Sequence, residues 1–162
     1  MPHYQDPETG EVFFLDNLAG AREGLFELTD QQATIALRPA LADAKEIKWA
    51  RAKRKRDAVI DAGVSVAGIG TFDSDAPSRA NINGAVMMAF IAQSTAQPFA
   101  INWKLADNSV VTLNVAQMIG AGVAVGERVA AVHAHAQTLG TAIQSAADHA
   151  ALEAIDVEVG WP

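Results

Sequence analysis

One seam of residues constrains this chain more than any other feature. Met118, Gly122, Val125, Val129, Val132, Ala136, Leu139 and Ile143 follow one another in steps of four and three. That is the spacing of a stripe along a helix packed lengthwise on another helix. Asn114 with Gln117 three positions on can form an N-terminal capping box. The helix is therefore predicted from Asn114 to about Ala147, roughly 50 Å long at 1.5 Å per residue. Gly120, Gly122, Gly126 and Gly140 weaken such a helix in isolation and are tolerable where another helix lies close.

The seam needs a cover, and the sequence offers one at Ala76–Gln93. Asp73, Ser74 and Asp75 are all candidate N-caps, and Pro77 sits where a first helical turn tolerates a missing N–H. Asp73 and Asp75 are read with Asn114 as structural caps, because no calcium-loop spacing follows them. Ile82, Ala85, Val86, Ala89 and Phe90 are expected to share the buried face, and Gly84 to let another backbone come close. A helix of about 18 residues reaches only about 27 Å. Roughly half the seam is then expected to remain uncovered, an apolar strip of unusual length for a monomer.

Around these helices the sequence alternates with period two. Val64-Ser65-Val66 and Thr71-Phe72 flank Ala67-Gly68-Ile69-Gly70, and Phe99–Leu105 and Val110–Leu113 flank Ala106-Asp107-Asn108-Ser109. Both read as hairpins. The Gly68-x-Gly70 pair lacks the third glycine of a dinucleotide loop. Trp103 is read as covering one edge of a small sheet. A short last turn of helix is expected within 150–157, and Trp161 is an aromatic near the chain end that needs something to dock on.

The front of the chain has a different character. Tyr4–Leu15 reads as a hairpin about Asp6-Pro7-Glu8-Thr9-Gly10, with Val12, Phe13, Phe14 and Leu15 returning. Leu25–Leu28 is extended, and Thr29 with Gln32 makes a second capping box for a helix ending near Pro39. From Asp43 to Ala62 the composition is helical, and seven of the twelve basic residues lie there: Lys45, Lys48, Arg51, Lys53, Arg54, Lys55 and Arg56. The apolar-free run 53–57 is expected to stand clear of the body as an arm, since unpaired buried cations are costly. The reading is α+β, with short antiparallel hairpins beside two principal helices, one of them long, and a small N-terminal hairpin module on a basic helical arm. The boundaries are 1–42, 43–62 and 63–162.

The chemistry is sparse. The chain has no cysteine, so thiol nucleophiles, zinc-thiolate sites and disulfides are excluded. His133 and His135 are two apart and point to different sides of their helix, unlike an i, i+4 metal pair. No serine has a placed base, and nothing singles out two of the nineteen acidic residues as a hydrolytic pair. The expectation is a protein that is not an enzyme, with no catalytic residues, metal or cofactor. The net charge of −7 argues against a broad nucleic-acid surface, although the basic arm keeps nucleic-acid binding open as an alternative. Neither a signal peptide nor a transmembrane segment is expected.

Several residues together resemble a known group. Asp73-Ser74-Asp75 with Ser78-Arg79, Ile82 and Gly84 is one part; Trp103, Asp107-Asn108 and Leu113 follow. His133-Ala134-His135 and Asp156 with Gly160-Trp161-Pro162 complete it. From about Lys45 to Pro162 the chain resembles a C-terminal domain of unknown function found in small bacteriophage tail-associated proteins, often labelled tail-fibre assembly proteins. Tyr4–Leu15 followed by Leu28-Thr29-Asp30 is similar to the front of tail-fibre assembly proteins, without their longer proline-rich connector. The resemblance implies a phage tail protein in the virion tail or the host cytoplasm during assembly. The uncovered part of the seam is expected to be met by a second copy or by a tail-fibre or baseplate subunit, which makes the chain a homo-oligomer or part of a complex, as a structural component or assembly chaperone. A tail-associated cell-wall or polysaccharide hydrolase is the alternative. The candidate partner-binding residues are Phe13, Phe14, Met118, Val125, Val129, Val132, Leu139, Ile143 and Trp161.

Overall fold

The structure, a computed structural model, describes residues 2–14 and 24–162. The chain divides into two compact units, Met1–Ala44 and Lys45–Pro162.

The first unit holds a three-stranded antiparallel sheet of order β2-β1-β3, from β1 (His3–Gln5), β2 (Val12–Phe14) and β3 (Phe26–Leu28). Asp6 fixes the hairpin turn: its carboxylate accepts the Glu8 and Thr9 N–H groups at 2.8 and 3.3 Å, and Gly10 takes the positive φ that closes it. Leu15, read as the end of the returning strand, lies outside the described residues. The second extended piece becomes the third strand, with Gln5 opposite Phe26. Helix α1 (Asp30–Ala36) starts on the expected capping box of Thr29 and Gln32.

Helix α2 (Leu41–Asp61) follows, and the fold of the second unit is built on the long helix α4 (Val115–Ser145). Hairpins β4–β5 (Val64–Val66, Gly70–Phe72) and β6–β7 (Ile101–Lys104, Val110–Leu113) flank α3 (Ala76–Ser94) in the chain, and α4 (Val115–Ser145) and the short α5 (His149–Glu153) complete it. The α+β reading holds. Asn114 and Gln117 make the reciprocal box at the start of α4, at 3.0 Å in both directions. The Ala106 N–H donates to Thr71 O at 2.9 Å and ties the second hairpin to the first. One core joins Phe72, Leu105 and Leu113 of the hairpins to Ile82, Ala85 and Ala89 of α3 and to Met118, Ala121 and Val125 of α4. Helices α3 and α4 approach so closely that a Cβ on Gly122 would lie 2.5 Å from Val86 Cγ2.

The seam is not left half uncovered. Met118, Val125, Val132, Leu139 and Ile143 are all buried within the chain, and Val129 is half-buried. Where α3 ends, the cover passes to α2 and the chain terminus. The Trp49 ring lies over Gly140, Trp161 stacks edge-on against His135 at 4.6 Å, and Gly160 abuts the same imidazole. The cover of α4 thus comes from three segments, and α3 is one of them. By length and composition α4 is also apolar enough to cross a membrane, a test that the seam of a core helix passes equally.

The basic arm does not stand clear either. Ala52 and Ile60 are buried on α2 and bracket the basic run, so the helix docks at both ends of that run while the cations reach around it. Lys45 donates to Gln144 O at 2.8 Å, and Lys48 to Leu152 O and Glu153 O. These are carbonyls at the ends of α4 and α5, where a cation meets the negative pole of a helix. Arg51 and Lys55 share Glu158 at 2.8 and 3.5 Å, and Arg56 pairs with Asp57.

Two measurements check this packing. Gly122→Val should cost on the order of 1–3 kcal/mol in urea unfolding through overpacking against Val86. Gly84→Ala, where an added Cβ meets nothing within 4 Å, should instead gain roughly 0.5–1 kcal/mol. The second concerns pH. The hydrogen bond from Arg51, followed by the charges of Arg51 and Lys55, holds the Glu158 carboxyl below the usual glutamate range. Its contribution is therefore complete above the unfolded-state pKa and is lost as pH falls through the lower folded value. The melting temperature of Glu158→Gln should lie below wild type at pH 7, and the gap should close in acid.

Candidate functional site

The residues nominated from the sequence separate into three groups. Phe13 and Phe14 are both exposed but lie on opposite faces of the sheet, with Phe14 against His3 at 4.7 Å between ring centres. By the pairing of β1 with its two neighbours, Phe14 and Phe26 share one face of the sheet, and both are about half exposed. The seam residues Met118, Val125, Val132, Leu139 and Ile143 are core and are not available to a partner. Trp161 is half-buried: its indole N–H donates to Val157 O at 3.0 Å and its ring packs on His135, so its dock lies within its own chain.

The caps also separate. Asp75 is the N-cap of α3, accepting the Ser78 N–H at 2.8 Å, and bonds from the Ser78 side chain and backbone hold its carboxyl below the usual range. Ser74 is buried in the preceding loop, where its hydroxyl accepts from Gly63 N–H and donates to Ile60 O, joining the end of α2 to the start of α3. Asp73 caps nothing. It is exposed and lines a cleft of about 280 Å³ with Ser78, Asn81, Trp103 and Lys104. The half-buried Trp103 forms its aromatic wall, 6.0 Å from Phe72. This cleft has room for a small polar group. It contains one carboxylate and no histidine, so it offers no acid–base pair. Among the described residues no three His, Cys, Asp or Glu side chains gather as a metal site.

An exposed apolar surface on α3 was not expected from the sequence. Helix α3 is apolar on two opposite sides. Ile82, Ala85 and Ala89 face the core, while Met87, Met88, Phe90 and Ile91 are 61, 52, 48 and 56% exposed. Phe90, expected on the buried side, belongs to the outward group. Gly84 does not admit a neighbouring backbone, since the space beside it is open. The signal was present as a second run in steps of four and three: Ala80, Gly84, Met87, Ile91.

A family model described as a domain of unknown function (DUF4376) matches residues 43–159. The chain belongs to that family. No curated protein and no solved structure matches it.

The cap assignment is open to a direct test. Asp75→Ala should lower the melting temperature, whereas Asp73→Ala should leave it unchanged, since its carboxylate holds no helix N–H.

Proposed function

We propose that this protein is a non-enzymatic component of a bacteriophage tail. It binds tail-fibre or baseplate subunits, either as part of the virion or as an assembly factor in the host cytoplasm. The observation that supports this reading most is that each unit turns large apolar side chains to solvent: Phe14 and Phe26 on the N-terminal sheet, Met87 and Ile91 on α3. Exposed apolar faces of this kind are characteristic of docking surfaces. The resemblance to small tail-associated proteins supplies the class of partner. The sheet face of Phe14 and Phe26 is the one assigned to the tail subunit.

The basic segment favours docking within the chain over nucleic acid. Five of its cations, Lys45, Lys48, Arg51, Lys55 and Arg56, are engaged by carbonyls or carboxylates of the second unit. Only Lys53, over the Trp49 ring at 5.9 Å, and Arg54 remain.

Co-expression with the fibre and baseplate proteins of the same phage, followed by affinity capture, tests the proposal. One of them should co-purify, and Phe14→Ser with Phe26→Ser should reduce the captured amount at least tenfold without changing the fold of the second unit. Turnover of peptidoglycan or capsular polysaccharide, abolished by a single acidic substitution, would overturn the non-enzymatic reading.

A further inference from the structure

We propose that two copies of this chain pair through the outward faces of α3, antiparallel, about a two-fold axis passing between Ala85 and Val86. The pairing concerns this chain alone and goes beyond the tail reading, which assigns a different face to the tail subunit.

The first support is the order of residues along the stripe. Its N-terminal half is small, Ala80 and Gly84, and its C-terminal half is large, Met87 and Ile91. A two-fold axis at the midpoint sets Ala80 opposite Ile91 and Gly84 opposite Met87. Every large side chain then meets a small one, the alternation that lets two helices interdigitate. A parallel pair would set Ile91 on Ile91 and Gly84 on Gly84, crowding one end and leaving the other empty. The open space beside Gly84 is where the partner's Met87 fits.

Charge is the second support. The chain carries a net charge of −7, so copies repel over most of their surface. Helix α3 has a single ionisable residue, Arg79, and it is held on the other side by Asp61 at 3.1 Å and by the Ser74 carbonyl. The outward stripe is thus a place where two acidic molecules meet without opposing like charges.

Area is the third. Met87 and Ile91 lie at the centre of the outward side with Met88 and Phe90 on its two flanks, and the exposed parts of the four supply at most roughly 400 Å² per copy. With Pro77, Ala80 and Gly84 added, a pair removes on the order of 1,000 Å² in total, the floor for a specific association. This is a reversible dimer rather than an obligate one.

Analytical ultracentrifugation of the full chain at tens of micromolar should show a concentration-dependent species of twice the monomer mass. Met87→Glu with Ile91→Glu should weaken it at least tenfold while leaving the circular dichroism and urea midpoint unchanged, because both side chains are more than half exposed. Orientation is read separately, in a chain whose lack of cysteine gives a clean background. In an equimolar mixture of Ala80→Cys and Ile91→Cys under mild oxidation, the mixed disulfide should dominate. In the antiparallel pair each residue lies about 16 Å along the axis from its own copy. A wild-type monomer throughout the concentration range would overturn the proposal, whether the face is then covered by another tail subunit or by nothing. A dimer indifferent to the double substitution, or a mixture giving mainly 80–80 and 91–91 disulfides, would overturn it as well.

Discussion

Burial of the α4 seam is the constraint on which the second unit depends. The stripe is mostly valine, alanine and glycine with a few larger side chains, so no single contact along it is strong. It is stable only if covered along its length, because small residues contribute little area each and leave little tolerance for gaps. The chain meets this requirement with segments of different character. Helix α3 lies against the first half at glycine distance. Helix α2 brings Trp49 to Gly140, and the terminus brings Gly160 and Trp161 to His135.

The second cover explains the concentration of positive charge. A helix as basic as α2 could not dock by an apolar face alone. It docks by Ala52 and by cations that reach the carbonyl ends of α4 and α5 and the carboxylate of Glu158. The arginines and lysines therefore act as clasps on three segments that follow one another in the chain. That arrangement leaves little of the basic run for an outside phosphate.

The outward face of α3 has a different status. A helix apolar on both sides is ordinarily buried on both, and here the side of Ile82, Ala85 and Ala89 is the one packed into the core of its own unit. The Asp73–Trp103 cleft lies by the N-terminal turns of the same helix, beside Ser78 and Asn81, and is small, about 280 Å³. The apolar face farther along α3 is the stronger invitation to a partner.

The sequence by itself determined the elements and their ends. Asn114–Gln117 and Thr29–Gln32 are reciprocal boxes within three residues, so their bonds are settled locally. Both hairpins of the second unit followed from their turns, and the heptad steps identified the buried side of α4 correctly. Tertiary structure decided what covers each stripe. The spacing that marks Met118 to Ile143 as a seam is the same spacing found in Ala80, Gly84, Met87 and Ile91, yet one is core and the other faces water. Period alone cannot separate them, because burial depends on segments distant in sequence, such as Trp49 and Trp161. The same holds for Asp73 and Asp75. Two residues apart and chemically identical, they differ because only Asp75 is placed where its carboxylate meets the Ser78 N–H, and that placement is fixed by Ser74, whose hydroxyl is tied to the end of α2.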